Sequence, residues 1–257
     1  MLNMMIADTQ RIFRGRMVYL CMGVLILLIS MHVFGVGQAG AGDLYMMASG
    51  ATMPFYLMNL ANNVTLFVIT IVALIVTDDF SKGYGSNGTV KNVIAFGYAK
   101  TTYFFAKVLM AVFFATLFYL VHLVGGTLLS TLANGFGGEF NLEFLRSVWQ
   151  PASLQLLLII ATTVFLSGIG FIVRNTTYLT YVAGAWMFIP MILSQTFHGN
   201  PLVERLIQHD LSFQLVNITR LPEITQGDAS RIFLIAAGYI IVGIAMGLTW
   251  FQRSEIK

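Results

Sequence analysis

Six stretches of this chain are long and apolar enough to cross the hydrocarbon core of a bilayer, at residues 17–35, 55–77, 104–129, 152–173, 178–197 and 231–251. A crossing helix needs about 20 mostly apolar residues, and in lipid it must pair all its backbone polar groups internally. Composition agrees: 57% of the 257 residues are hydrophobic and 10% are charged, against about 25% charged in a soluble domain. With 14 Lys and Arg and 11 Asp and Glu, the chain cannot cover a water-facing surface. The first stretch is followed by Ala39-Gly40-Ala41, which imitates a signal-peptide cleavage site. Its apolar run exceeds the roughly 7 to 15 residues of such a peptide, so it reads as a retained helix. The expected fold is an all-α integral membrane protein with six transmembrane helices.

Orientation follows from Lys and Arg, because acidic residues count for little in the positive-inside rule. With the N-terminus inside, Arg11, Arg14, Arg16, Lys82, Lys91, Lys100, Lys107, Arg174, Arg253 and Lys257 lie on the cytoplasmic side, and Arg146, Arg205, Arg220 and Arg231 lie outside. Both termini are therefore expected in the cytoplasm. The net charge of +3 comes from scattered residues, which fits basic loops and argues against nucleic acid as a partner. Cys21 stands alone in an apolar run and reads as a buried, inert thiol.

Residues 2–14 place Leu2, Met5, Ile6, Thr9, Ile12 and Phe13 on one helical face, largely opposite Asn3, Asp8, Gln10, Arg11 and Arg14. This predicts an interfacial helix ahead of the first crossing. In the loop 78–103, Gly83-x-Gly85-x-x-Gly88 imitates a dinucleotide fingerprint. It lacks the preceding strand and βαβ unit that the fingerprint requires, so the glycines read as a turn. Val90, Val93 and Ile94 then fall at i, i+3 and i+4, with Gly97 placed to stop a helix. A short cytoplasmic helix with one apolar stripe suits docking into a partner's groove; the alternative is an interfacial helix without a partner. Residues 198–230 are too long for a simple turn. Asn200-Pro201 reads as a cap and first-turn proline, and Leu202, Val203, Leu206 and Ile207 form an apolar stripe on an outer helix. Leu211 to Ile218 leaves helix or strand open.

The sequence has no Walker-type phosphate loop, no His-Glu-x-x-His zinc motif and no Gly-x-Ser-x-Gly elbow. An intramembrane protease is disfavoured for the same lack of a catalytic constellation. His32 and His122 read as packing histidines. Ion-driven carriers mark their path with intramembrane charges; here Asp78 and Asp79 sit at a helix end, Lys107 is near enough to the inner surface to snorkel, and the helix centres are uncharged. The energy source is expected elsewhere. Asn59, Asn62 and Asn63 share a face of the second crossing, either as interhelical hydrogen-bonding residues or, with Trp186, as a polar lining for a substrate path. Gly243-x-x-x-Gly247 and Ser167, Gly168 and Gly170 permit close helix packing, and Pro190 favours a kink.

The order of parts resembles the permease subunit of ABC-2 type exporters over essentially the whole chain. Asp78-Asp79-Phe80, Gly88-Thr89-Val90-Lys91-Asn92, Lys107 and the ending Trp250-Phe251-Gln252-Arg253-Ser254-Glu255-Ile256 are similar to the bacitracin-resistance, lantibiotic-immunity and cytolytic-peptide exporter branch. The glycine-rich insertion Gly83 to Gly88 departs from that pattern. The resemblance implies a bacterial cell-membrane protein without a catalytic site of its own, paired with a second copy or a paralogous permease. Two copies of a separate cytoplasmic ABC ATPase would bind the ATP and Mg. It further implies that residues 88–96 form the coupling helix, with Val90, Val93 and Ile94 as docking face and Lys91 and Asn92 as polar contacts. The implied substrate is amphipathic or hydrophobic, such as an antimicrobial or cytolytic peptide. The alternatives are an ion-coupled carrier or a non-transporting scaffold.

Overall fold

The computed structural model describes residues 2–38, 49–80, 89–197, 199–218 and 224–254. Ala39-Gly40-Ala41 and the Gly83–Gly88 run lie outside them. Among the described residues the fold is helical, without strands. Helices α1 (Leu2–Arg14) and α2 (Arg16–Gln38) are followed by α3 (Met53–Asn59) and α4 (Ala61–Val72), which continues through a π turn (Ala73–Thr77) into a 3-10 turn (Asp78–Phe80). Next come α5 (Thr89–Ala95), α6 (Lys100–Leu120), a second π turn (Val121–Gly125) and α7 (Gly126–Asn134). The remainder is α8 (Leu142–Val173), α9 (Thr176–Thr196), α10 (Pro201–Gln208), α11 (Leu211–Asn217) and α12 (Gln226–Arg253).

Six helical stretches among the described residues are long and apolar enough to cross a membrane: Arg16–Phe34, Asn63–Phe80, Lys100–Asn134, Leu142–Val173, Thr176–Thr196 and Gln226–Arg253. Their starts follow local chemistry. Asn141 accepts from the Phe144 amide at 2.8 Å, Asn175 from Tyr178 at 3.1 Å and Asn200 from Leu202 at 3.0 Å ahead of Pro201. Such side chains satisfy amides that a helix start leaves unpaired. Thr225 and Asp228 form a reciprocal capping box on α12. The open question at Leu211–Ile218 resolves as helix, because Asp210 caps the Phe213 amide at 3.0 Å.

Helix α8 is the centre of the bundle. Gly168 faces Gly243 and Gly247 of α12 so closely that a Cβ on Gly168 would stand 2.2 Å from the Gly243 carbonyl oxygen. At the α5 end, Phe80, Tyr103, Phe104, Phe171 and Phe251 bring the ends of four crossings into one aromatic cluster, with centroids 4.7–6.3 Å apart. Lys100 extends across it to the Gln252 and Ser254 carbonyls, at 3.0 and 2.8 Å. The outer faces of α2, α9 and α12 expose Leu20, Leu27, Met31, Ile189, Ile192, Leu234 and Ile241. Apolar exposure on that scale requires a partner other than water.

One expectation changes. The helix expected over 55–77 is interrupted at Leu60, where the backbone leaves helical geometry (φ −94°, ψ 20°). Asn59 sits at the break and sends its amide back to the Phe55 carbonyl at 3.1 Å, and such residues compete with the helix for backbone partners. In α1 the buried face is Met4, Asp8 and Ile12, while Ile6 and Phe13 are exposed. The helix lies alongside α6, with Asp8 on Lys107 and Phe13 on Phe114. This rotation gives the buried Lys107 a carboxylate partner.

Candidate functional site

Lys107 is a lysine two turns into an apolar helix, and only 2% of its side chain is exposed. A buried ammonium persists only if paired and hydrogen-bonded. Its Nζ lies 2.7 Å from Asp8 Oδ2 and 2.5 Å from Asp79 Oδ2. Arg11 completes the group by pairing with Asp79 Oδ1 and approaching Asp8 at 3.4 Å. The Tyr103 hydroxyl donates to Asp79 Oδ2 at 2.5 Å. Two carboxylates and two cations thus form a neutral quartet, with Asp79 at its centre fully shielded from solvent.

At Arg11, burial disfavours the charged form, and the neighbouring Asp79 carboxylate more than offsets it, so the guanidinium is held above its ordinary pKa. Asp79 receives Arg11 on Oδ1 and Lys107 and Tyr103 on Oδ2. The quartet acts as a clasp joining α1, the 3-10 turn and α6. Helix α5 packs directly on that turn. A helix expected on the cytoplasmic side thus lies against a buried clasp.

A second polar assembly sits where the chain breaks at Leu60. At the break the Leu57 carbonyl accepts the Leu60 amide at 3.0 Å, and side chains from other crossings add hydrogen bonds to the carbonyls there. His122 Nε2, in the π turn after α6, lies 3.1 Å from the Leu57 oxygen. Gln155 of α8 donates to the Met58 oxygen at 2.9 Å and to the Leu215 oxygen at 2.8 Å, and its own Oε1 accepts from the Tyr119 hydroxyl at 3.2 Å. Gln155 therefore ties α3, α6, α8 and α11 together while fully buried. His122 is also buried, with Nδ1 lacking a hydrogen-bond partner.

The residues singled out from sequence fall in different surroundings. Val90 is buried in the core, and Val93 and Ile94 are partly buried against it. Lys91 is exposed, and Phe96 is 83% exposed. Asn59 is exposed beside the break and Asn63 half-buried beyond it. Trp186 packs against Phe165 and Tyr239, at 5.8 and 6.4 Å. The side chains of Asn62 and Asn92 lie outside the described residues. Sequence reasoning missed Asp8, Arg11, Tyr103 and Gln155. The signal for Asp8 was Lys107 itself, since a lysine that deep requires a carboxylate and few are present. Among the described residues no group of three or more His, Cys, Asp or Glu side chains is placed to hold a metal ion.

A 630 Å³ groove opens on the flank of the bundle between α7 and the start of α8, bordered by Leu123, Leu128, Phe140, Phe144, Trp149 and Leu156. Its border is almost wholly apolar. In comparisons with known proteins, no family model matches this chain and no curated protein matches it.

Proposed function

We propose that this chain is the permease subunit of an ATP-driven exporter for an amphipathic or hydrophobic substrate, such as an antimicrobial or cytolytic peptide. The observation that carries the reading is the packing of α5 on the turn that holds Asp79. A displacement of α5 would act on the clasp, and through it on α1 and α6 together. Uncharged crossing centres support an energy source outside the chain, and the apolar groove supports a greasy cargo.

In this reading the ATPases bind ATP and Mg, two permease chains line the path, and both termini face the cytoplasm of a bacterial cell. Because Val90 is occupied in the core, the ATPase contact falls on exposed Lys91 and Phe96. ATP moves the assembly only by favouring one conformation over another. The test is co-purification with an ATPase and substrate-stimulated hydrolysis beside it. Phe96→Ser is expected to abolish stimulation while leaving the thermal unfolding of the permease unchanged; full stimulation in that variant refutes the assignment of the contact.

A second reading, an ion-coupled carrier, draws on the quartet, because intramembrane ionisable groups commonly mark ion paths. Transport in ATP-free vesicles that follows a proton or sodium gradient would establish it over the first.

A further inference from the structure

The 630 Å³ groove runs lengthwise between two neighbouring crossings. Tyr119, Leu123 and Ala152 are buried and form its floor, while Leu128, Leu145 and Trp149 are 58%, 45% and 75% exposed and form its rims. The three hydroxyls along it are spent within the protein. Tyr119 donates to the Ala152 carbonyl at 3.0 Å, Thr127 to the Leu123 carbonyl at 2.6 Å and Ser153 to the Gln150 carbonyl at 2.9 Å. A ligand bringing polar groups of its own would find no free hydroxyl to pair with them, and an unpaired polar group out of water is costly. The groove suits bare hydrocarbon.

Its height in the membrane narrows the occupant further. Helix α8 ends at Val173, next to Arg174, whose guanidinium lies 5.2 Å over the Phe80 ring in the turn on which α5 packs. Counted from Val173 at about 1.5 Å per residue, Leu156 stands about 26 Å up the helix and Leu145 about 42 Å. The hydrocarbon core is about 30 Å thick, and an average tilt of about 20° shortens these heights by only a few per cent. The groove therefore begins inside the hydrocarbon and ends among the headgroups of the leaflet opposite α5. Charges mark the same level: Glu143 and Arg146 are exposed in the turns that carry Leu145 and Trp149, and such groups stay out of hydrocarbon.

Trp149 by itself would be an ordinary interfacial anchor; the buried floor beside it is what distinguishes this surface. An apolar trough at headgroup level leaves its lining against water until something covers it. Its lower end is continuous with the lipid-facing surface, so the nearest cover is a lipid chain. Passing from bilayer hydrocarbon into the groove costs that chain little, because lipid tails are as apolar as leucine. An amphipathic helix in the same place would turn its polar face to lipid tails along the lower half.

We propose that the groove binds one acyl chain of a phospholipid from the leaflet opposite α5 and holds part of it above the hydrocarbon, at headgroup level. The inference goes beyond the exporter reading and needs only the placement of the chain in a membrane. Failure to stimulate an ATPase would leave it standing, and its own failure would leave the ATPase contact untouched.

The test uses the full chain in phosphatidylcholine vesicles doped with a phosphatidylcholine that carries a diazirine in the middle of one acyl chain. After irradiation, lipid adducts are mapped by peptide mass spectrometry. Ordinary bilayer chains concentrate around Leu156 and not Leu145, so adducts on Leu145, Val148 and Trp149 are the signature. They are expected well above adducts on Ser147 and Gln150, which share those turns but do not line the groove. Val124 is a half-exposed wall residue, and Val124→Trp fills the trough with the melting temperature unchanged. The upper adducts should then fall about tenfold, as uncovering apolar area equal to about two methylenes implies, while adducts on Leu156 persist. Leu128→Trp, one turn higher, gives the same result if Val124→Trp melts early. Upper adducts no denser than those on Ser147 and Gln150, or undiminished in the filled variants, overturn the proposal. So does their loss when the chain self-associates, which would make the cover a second copy, or their loss to an amphipathic peptide but not to excess unlabelled lipid.

Discussion

Replacing Lys107 with Met should destabilise the bundle by about 3–5 kcal/mol, the cost of breaking a buried ion pair by removing one partner. The upper part of that range applies because Asp79 is fully buried and Lys107 only 2% exposed, so neither can recover water. Removal of Lys107 leaves Asp8 and Asp79 sharing Arg11 alone, a buried excess of one negative charge. Asp79→Asn leaves the opposite excess, and a similar loss is expected. The double variant Lys107→Met/Asp79→Asn is neutral again and retains Asp8 and Arg11, which already approach at 3.4 Å. Its loss should therefore fall well below the sum of the single losses, by more than about 1 kcal/mol of coupling. Thermal unfolding of the detergent-solubilised chain, followed by circular dichroism, should show each single variant melting about 6–20 °C lower. Losses that add within about 0.5 kcal/mol, the behaviour of independent sites, would refute the clasp. A single-variant loss below about 1 kcal/mol would do the same, since that is the range of an exposed pair.

Gly243→Ala should lower the melting temperature, because a Cβ there would stand 2.7 Å from the Phe165 Cα and overpacking costs about 1–3 kcal/mol. Gly238→Ala, on the same helix with nothing within 4 Å of a new Cβ, should instead be neutral or stabilising by up to about 1 kcal/mol. Gln155→Leu should cost about 1–3 kcal/mol per carbonyl left unpaired, at Met58 and Leu215. Faster hydrogen exchange is expected in α3 and α11 and not in α5; uniform exchange would refute the local role.

The crossings were legible in the sequence because membrane insertion depends on summed apolar length, a property of each segment alone. Caps were legible for the same reason: Asn200 ahead of Pro201 acts on the next three residues wherever the helix goes. The rotation of α1 was not legible. Its hydrophobic pattern gives Ile6 and Phe13 an interfacial face, whereas the burial of Asp8 depends on a salt bridge to Lys107, 99 positions away. The break at Leu60 was half legible, in the asparagines that weaken the helix, whereas the groups that stabilise the broken form, His122 and Gln155, come from other crossings.

By itself, then, the sequence determined a helical membrane protein with six apolar helices long enough to cross and with weakly charged interiors, since these follow from local composition and length. Only the tertiary structure decided which charges meet, that Val90 packs in the core, and that Arg231, Glu204 and Asp228 line one pocket. Those outcomes depend on pairing between distant segments, where desolvation makes an unpaired polar group costlier than any local preference.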